Sequence, residues 1–135
     1  LLSGGFLPIV SSIGLDADGA FLNINADDAA AAIARVTFAR ELVLLTDVPG
    51  VLNRSGAVIP SLDRVSIDAL IADGTIGGGM IAKVRGALDA ADRANVPVTI
   101  ASWKDPSSVI ATNARSATCT RIMPASTPPL ASLSR

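Results

Sequence analysis

No histidine occurs anywhere in the sequence, which removes the commonest general base and metal ligand near neutral pH. The single cysteine, Cys119, excludes an intrachain disulfide and leaves no cysteine spacing for a metal site. No apolar run approaches the roughly 18 residues that a membrane-spanning helix needs. Charge of one sign is scarce as well. Eleven lysines and arginines stand against 12 acids, for a net charge of -1, and their scatter leaves no basic stripe for nucleic acid. The phosphate-loop pattern Gly-x-x-x-x-Gly-Lys-Ser/Thr is absent too. Chemistry in this chain must run on Asp, Glu, Lys and backbone donors.

What is present describes a folded domain. The chain has 135 residues, of which 50% are hydrophobic and 17% charged, a balance that supports one domain with a core rather than a disordered segment. A mean hydropathy of +0.50 is high for a domain of this size and points to buried strands or a covered interface. Leu1 to Phe6 carries no initiator Met and no charged region ahead of a long apolar run, so it does not read as a signal peptide. It is expected to be the middle of a longer chain entering a strand. Ser126 to Arg135, rich in Pro and Ser, is expected to be a disordered tail.

Between these ends, turn and helix signals alternate. Asp18-Gly19 between Ile13 and Phe21-Leu22 predicts a hairpin. Asn25 predicts the N-cap of an alanine-rich helix from Ala26 to Phe38, with Asp27 and Asp28 in its first turn. Leu42 to Leu45, ending in Thr46-Asp47-Val48-Pro49-Gly50, has the form of a buried parallel strand that delivers a polar loop. A second hairpin is predicted at Asn53-Arg54-Ser55-Gly56, then a short helix on Ile67, Leu70 and Ile71, closed by Asp73-Gly74. Met80, Val84, Ala87, Leu88 and Ala91 keep one apolar face, which predicts the best helix of the chain after Gly77-Gly78-Gly79. Val96 to Ala101 and Thr118 to Met123 predict strands, and Asp105-Pro106 opens a helix through Val109 and Ile110. The alternation gives an α/β fold with a largely parallel sheet.

Three places could carry chemistry. Asn23 and Asp27 lie four apart across a hairpin-to-helix junction and could face one cleft; Asn and Asp near a helix start are equally ordinary caps. Thr46 to Leu52 is either a ligand loop at the carboxyl end of a strand or a plain exit turned by Pro49-Gly50. Thr75 to Lys83 contains three glycines before a helix, which let an anion approach free N–H groups, with Lys83 near that first turn. A lysine there opposes the helix dipole, which a phosphate partner would explain; a flexible glycine loop beside a solvated lysine is the other reading. The residues alone lead to a nucleotide- or phosphate-binding α/β domain.

Taken in order, Pro8-Ile9-Val10-Ser11-Ser12-Ile13-Gly14, Asn23-Ile24-Asn25-Ala26-Asp27, Leu44 to Leu52, Gly79-Met80-Ile81-Ala82-Lys83 and Ile100-Ala101-Ser102-Trp103 resemble the amino-acid kinase family, and within it the branch acting on N-acetylglutamate. The resemblance implies the C-terminal, nucleotide-binding half of a carbamate kinase-like fold over residues 1–125. That fold has a mostly parallel sheet sandwiched by helices, with β-hairpin insertions. It implies a cytoplasmic enzyme of arginine biosynthesis that phosphorylates the side-chain carboxylate of N-acetyl-L-glutamate with ATP and its Mg²⁺. Asn23 would hold the acylated amino acid, Asp27 would orient catalytic lysines, and Lys83 would meet charge on the transferring phosphoryl group. Asp47, Val48, Pro49, Gly50, Val51, Leu52, Thr75, Ile76 and Gly77 would line the nucleotide site. A carboxylate acceptor needs no general base, so a histidine-free site suits the reaction. The family's second lysine and glycine-rich phosphate loop belong to an N-terminal lobe expected to be missing here, together with the usual homodimer interface. Cys119 departs from the Gly that commonly precedes Thr in the family. Two other readings stand beside this one: a kinase for a related substrate such as carrier-linked aminoadipate, and a domain that holds nucleotide without turnover.

Overall fold

The structure, a computed structural model, describes residues 2–105 and 118–125. The helix expected from Asp105-Pro106 onward and the tail expected at 126–135 lie outside the described residues.

The first hairpin forms where Asp18-Gly19 predicts it. β1 (Ile13–Leu15) and β2 (Phe21–Asn23) pair antiparallel, with Ile13 opposite Asn23 and Leu15 opposite Phe21. Asp16 Oδ1 accepts from the N–H of Asp18 and of Ala20, and Gly19 takes a φ of 83° that a side chain would disfavour. The two strands make a sheet of their own. The strand expected just upstream is not there: Leu2–Gly4 is a single 3-10 turn and residues 6–12 belong to no strand. Among the described residues no neighbouring strand offers that segment a ladder; only Ser12 O is engaged, accepting from Ile24 N at 2.9 Å.

α1 (Ala26–Val36) starts as the sequence requires, because Asn25 Oδ1 accepts from the N–H of Asp27 and Asp28 at 2.9 and 3.1 Å. It stops two residues before the expected Phe38. The Thr37 hydroxyl donates to Ile33 O at 2.7 Å, and Phe38 turns to a φ of 53°, ending the helix.

The main sheet has the order β3-β5-β6-β4, with β3 Leu42–Thr46, β4 Ser61–Leu62, β5 Val98–Ser102 and β6 Thr120–Ile122. β3 with β5 and β4 with β6 are parallel, and β5 with β6 is antiparallel, so the sheet is mixed but mostly parallel. β5 is buried along its whole length, since it lies between two strands. β3, expected to be fully buried, lies instead at the edge of the described sheet, and Leu45 stays 53% exposed. The last strand is shorter than 118–123, with Thr118 and Cys119 in the turn that leads into it.

α2 (Arg64–Ala72) is capped by Asp63, whose Oδ1 accepts from Ser66 N, and closed by Gly74 at a φ of 77°. α3 (Gly79–Ala94) buries Val84, Ala87, Leu88, Ala91 and Ala94 against α1 and the sheet. The core gathers Ile67, Ile76, Val84, Val98, Ile100 and Ile122, each contributing roughly 1.5–3 kcal/mol by burial.

Candidate phosphoryl-transfer site

The parallel register of β3 and β5 places Thr46 opposite Ser102, and Trp103 N donates to Thr46 O at 3.0 Å. The carboxyl ends of two neighbouring strands therefore present Thr46-Asp47 and Ser102-Trp103 side by side. Open α/β sheets bind ligands outside such ends.

Lys83 reaches this edge from α3. Its Nζ donates to Asp47 Oδ1 at 2.6 Å and to Thr46 Oγ1 at 2.9 Å. The Thr46 hydroxyl donates to Asp47 Oδ1 at 3.0 Å, and Val48 N donates back to it at 3.2 Å. Hydrogen bonds from Lys83 and then from Thr46 hold the Asp47 carboxyl down to about 2. Both charged side chains remain substantially exposed.

The loop after Asp47 is fixed from beneath. Thr120 Oγ1 accepts from Val51 N at 2.8 Å and donates to Ile59 O at 2.8 Å. Gly50 sits so close to it that a Cβ would lie 2.5 Å from Thr120 Oγ1 and 3.0 Å from Thr120 N. Val51 itself is fully buried: its side chain belongs to the core, its N–H is taken by Thr120, and its carbonyl accepts from Ile59 N at 2.8 Å. Leu52 bridges to Val58 across the second hairpin, whose turn is closed by Asn53 Oδ1 accepting from Ser55 N and Ala57 N.

Arg54 at the hairpin tip ties this region to the α2–α3 connection. Its Nε donates to Thr75 Oγ1 at 3.1 Å and its Nη2 to Asp73 O at 2.7 Å. Ile76, like Val51, buries its side chain, while Gly77, Gly78 and Gly79 open onto free space. Gly78, at a φ of 54°, is the N-cap of α3 and provides no side-chain cap. Thus Lys83 links the glycine segment to the β3 exit, and Arg54 links Thr75 to the hairpin that follows Leu52.

Asn23 and Asp27 stand apart from this cluster. Asn23 ends β2, Asp27 occupies the first turn of α1, and both are exposed. Among the described residues neither side chain bonds to Lys83. The sequence placed Thr46 in the candidate ligand loop without giving its hydroxyl a partner, and gave no role to Arg54 or Thr120.

No group of three or more Cys, Asp or Glu among the described residues is arranged to hold a metal ion. The Lys83 ammonium, the α3 start without a side-chain cap and glycines without side chains make a donor set that suits an anionic ligand. Two surface clefts lie elsewhere. One of about 490 Å³ runs between Arg35, Phe38 and Arg93, and one of about 630 Å³ between Asp63, Arg64 and Met123. Neither is lined by Lys83 or Asp47. No helix among the described residues is long and apolar enough to cross a membrane.

The chain is 50% identical over 111 residues to an acetylglutamate kinase of Moritella profunda, covering 82% of this chain and 42% of that one. It is 48% identical over 124 residues to an acetylglutamate kinase of Actinobacillus succinogenes, covering 92% and 48%. The chain thus spans less than half the length of these relatives. The structure of a carbamate kinase from Giardia lamblia bound to citric acid superposes with a TM-score of 0.53 at 24% identity, covering 83% of this chain and 36% of the other, a likeness of fold. The model of the amino acid kinase family matches residues 1–102, and the chain belongs to that family.

Proposed function

We propose that this chain is the nucleotide-binding half of a cytoplasmic kinase. The kinase transfers the γ-phosphoryl group of ATP to the side-chain carboxylate of N-acetyl-L-glutamate, a step of arginine biosynthesis. The observation that carries the reading is the seat of Lys83: it leaves an uncapped helix start beside three glycines and ends at the carboxyl edge of a parallel strand pair. Phosphoryl transfer asks for positioning and positive charge more than for covalent chemistry, and these residues offer both. The relatives named acetylglutamate kinase support the choice of acceptor.

In this reading Lys83 meets charge on the transferring group, and Asp27, which does not bond to Lys83 in the chain alone, orients the lysines in the completed site. Asn23 holds the acylated amino acid. Asp47 to Leu52 and Thr75 to Gly77 form the loops that line the nucleotide, with the buried Val51 and Ile76 anchoring them to the core. Mg²⁺ would arrive on the nucleotide and neutralise part of its charge.

The 135 residues by themselves hold nucleotide without turnover in this proposal. Large apolar side chains of the first segment, among them Phe6, Leu7, Ile9 and Phe21, are between 66% and 94% exposed. Soluble monomers rarely leave so many large apolar side chains uncovered in one segment. That segment fits a second lobe, which supplies another lysine and a phosphate loop and joins the completed enzyme into a homodimer.

The test combines calorimetry with a coupled ADP-release assay. ATP with Mg²⁺ binds the chain alone, N-acetyl-L-glutamate elicits no ADP release, and turnover appears when the unmatched N-terminal segment of the Moritella profunda relative is added. Robust turnover by the chain alone sinks the half-site reading, and absence of ATP binding sinks the nucleotide reading.

A further inference from the structure

We propose that Thr46 is a positioning residue, whose hydroxyl sets where the Lys83 ammonium and the Asp47 carboxylate meet. Its relevance to catalysis rests on the kinase reading above; its geometric role does not.

A threonine hydroxyl has one proton and two lone pairs, and all are committed here. The proton goes to Asp47 Oδ1, one lone pair accepts from Lys83 Nζ, and the other accepts from Val48 N. A group used to its full capacity has one orientation.

The placement of that hydroxyl is inherited from the sheet. Thr46 is the last residue of β3, in register with Ser102, and its carbonyl accepts from Trp103 N. Its β-branched side chain is stiff about χ1. The other two members of the trio have no such support. Lys83 carries its charge on a long flexible stem, and Asp47 lies beyond the strand end with its side chain 64% exposed. Asp47 supplies the charge that attracts Lys83, and Thr46 supplies the fixed point.

The count of ammonium protons gives the consequence. Of the three on Nζ, one faces Asp47 and one faces Thr46, which leaves the third in a defined direction for a phosphoryl oxygen. Without the hydroxyl, the ammonium can still pair with Asp47 but sweeps around it.

Two substitutions separate the hydroxyl from the rest of the side chain. Thr46→Val keeps the branched shape and removes the hydroxyl; Thr46→Ser keeps the hydroxyl. On the 135-residue chain, NMR follows the Asp47 carboxyl titration and the order of the Lys83 side chain. Thr46→Ser should preserve both, whereas Thr46→Val should move the Asp47 titration up toward the ordinary carboxylate range and disorder the lysine. A Thr46→Val chain with unchanged titration and unchanged lysine order overturns the proposal, whatever the chain phosphorylates. In the complemented assembly, Thr46→Val should lower kcat roughly tenfold to a hundredfold, the scale of a small misplacement, with KM for ATP within about twofold and Thr46→Ser recovering most of the loss. Full kcat in Thr46→Val, alongside a disordered lysine, overturns the catalytic half alone.

Discussion

Lys83 and Asp47 stand 36 residues apart in sequence and 2.6 Å apart in space. The lysine starts from the first turns of α3 and the aspartate from the loop after β3. Their meeting joins the glycine-rich helix start to the carboxyl edge of the sheet. An exposed pair of this kind adds little to folding stability, because solvent and salt screen it. Its value lies in placing a positive charge.

Removal of that charge should therefore be felt in turnover and not in folding. In the complemented assembly, Lys83→Ala should lower kcat by roughly two to three orders of magnitude, as for loss of one preorganised charge-stabilising donor. KM for ATP should move far less. Lys83→Arg should recover only part of the rate, since a planar guanidinium does not reproduce a compact ammonium. Steady-state kinetics decide it; intact kcat with a steep rise in KM would make Lys83 a nucleotide anchor.

The pair has a defined pH window. The folded Asp47 carboxyl titrates near about 2, below its ordinary value of 3.8, so the folded state binds this proton less readily than the unfolded chain. Its contribution is complete above the ordinary value and is lost as pH falls through that value toward about 2. Carbon-detected NMR should show the Asp47 titration depressed in the unmodified chain and returned toward the ordinary range in Lys83→Met. Coincident titrations in the two chains would mean that the pair does not persist in solution.

Gly50 predicts a steric effect. An added Cβ meets the Thr120 hydroxyl at 2.5 Å, Thr120 N at 3.0 Å and Val58 Cγ1 at 3.1 Å. Backbone must shift to admit it, so Gly50→Ala should cost about 1–3 kcal/mol, read as a lowered Tm. A Tm equal to that of the parent would show that the loop relaxes freely.

Asn25 predicts a capping effect. Its side chain satisfies the N–H groups of both Asp27 and Asp28, so Asn25→Ala should cost about 1 kcal/mol and Asn25→Ser much less. Chemical denaturation of the three chains measures the difference, and equal midpoints would contradict the cap.

Local signals were readable in the sequence because the contacts that realise them are local. Asp18-Gly19 and Ser55-Gly56 turn hairpins through Asp16 and Asn53, which bond only two to four residues away. The α3 face follows from its period, with Val84, Ala87, Leu88 and Ala91 buried as spaced. What escaped reading is long-range. β4 is two residues long and exists because β6 pairs Ser61 with Arg121 and Leu62 with Ile122. The Thr120 bond to Val51 spans 69 positions. At Lys83, sequence offered a choice between phosphate and solvent, and the structure supplies a third partner in Asp47. Val51 and Ile76, grouped by sequence with the nucleotide loops, bury their side chains in the core.

The first hairpin forms a sheet by itself, apart from the four-stranded one. A lone two-stranded hairpin is marginal in water, and segments of low local stability open independently of the core. Asn23 sits in the last paired position of that hairpin, opposite Ile13, so its placement is only as secure as the pairing. Whatever covers the apolar side chains of β1 and β2 also orders Asn23, and whatever Asn23 grips also favours the covered hairpin. The two events are thermodynamically linked, and each strengthens the other by the same factor.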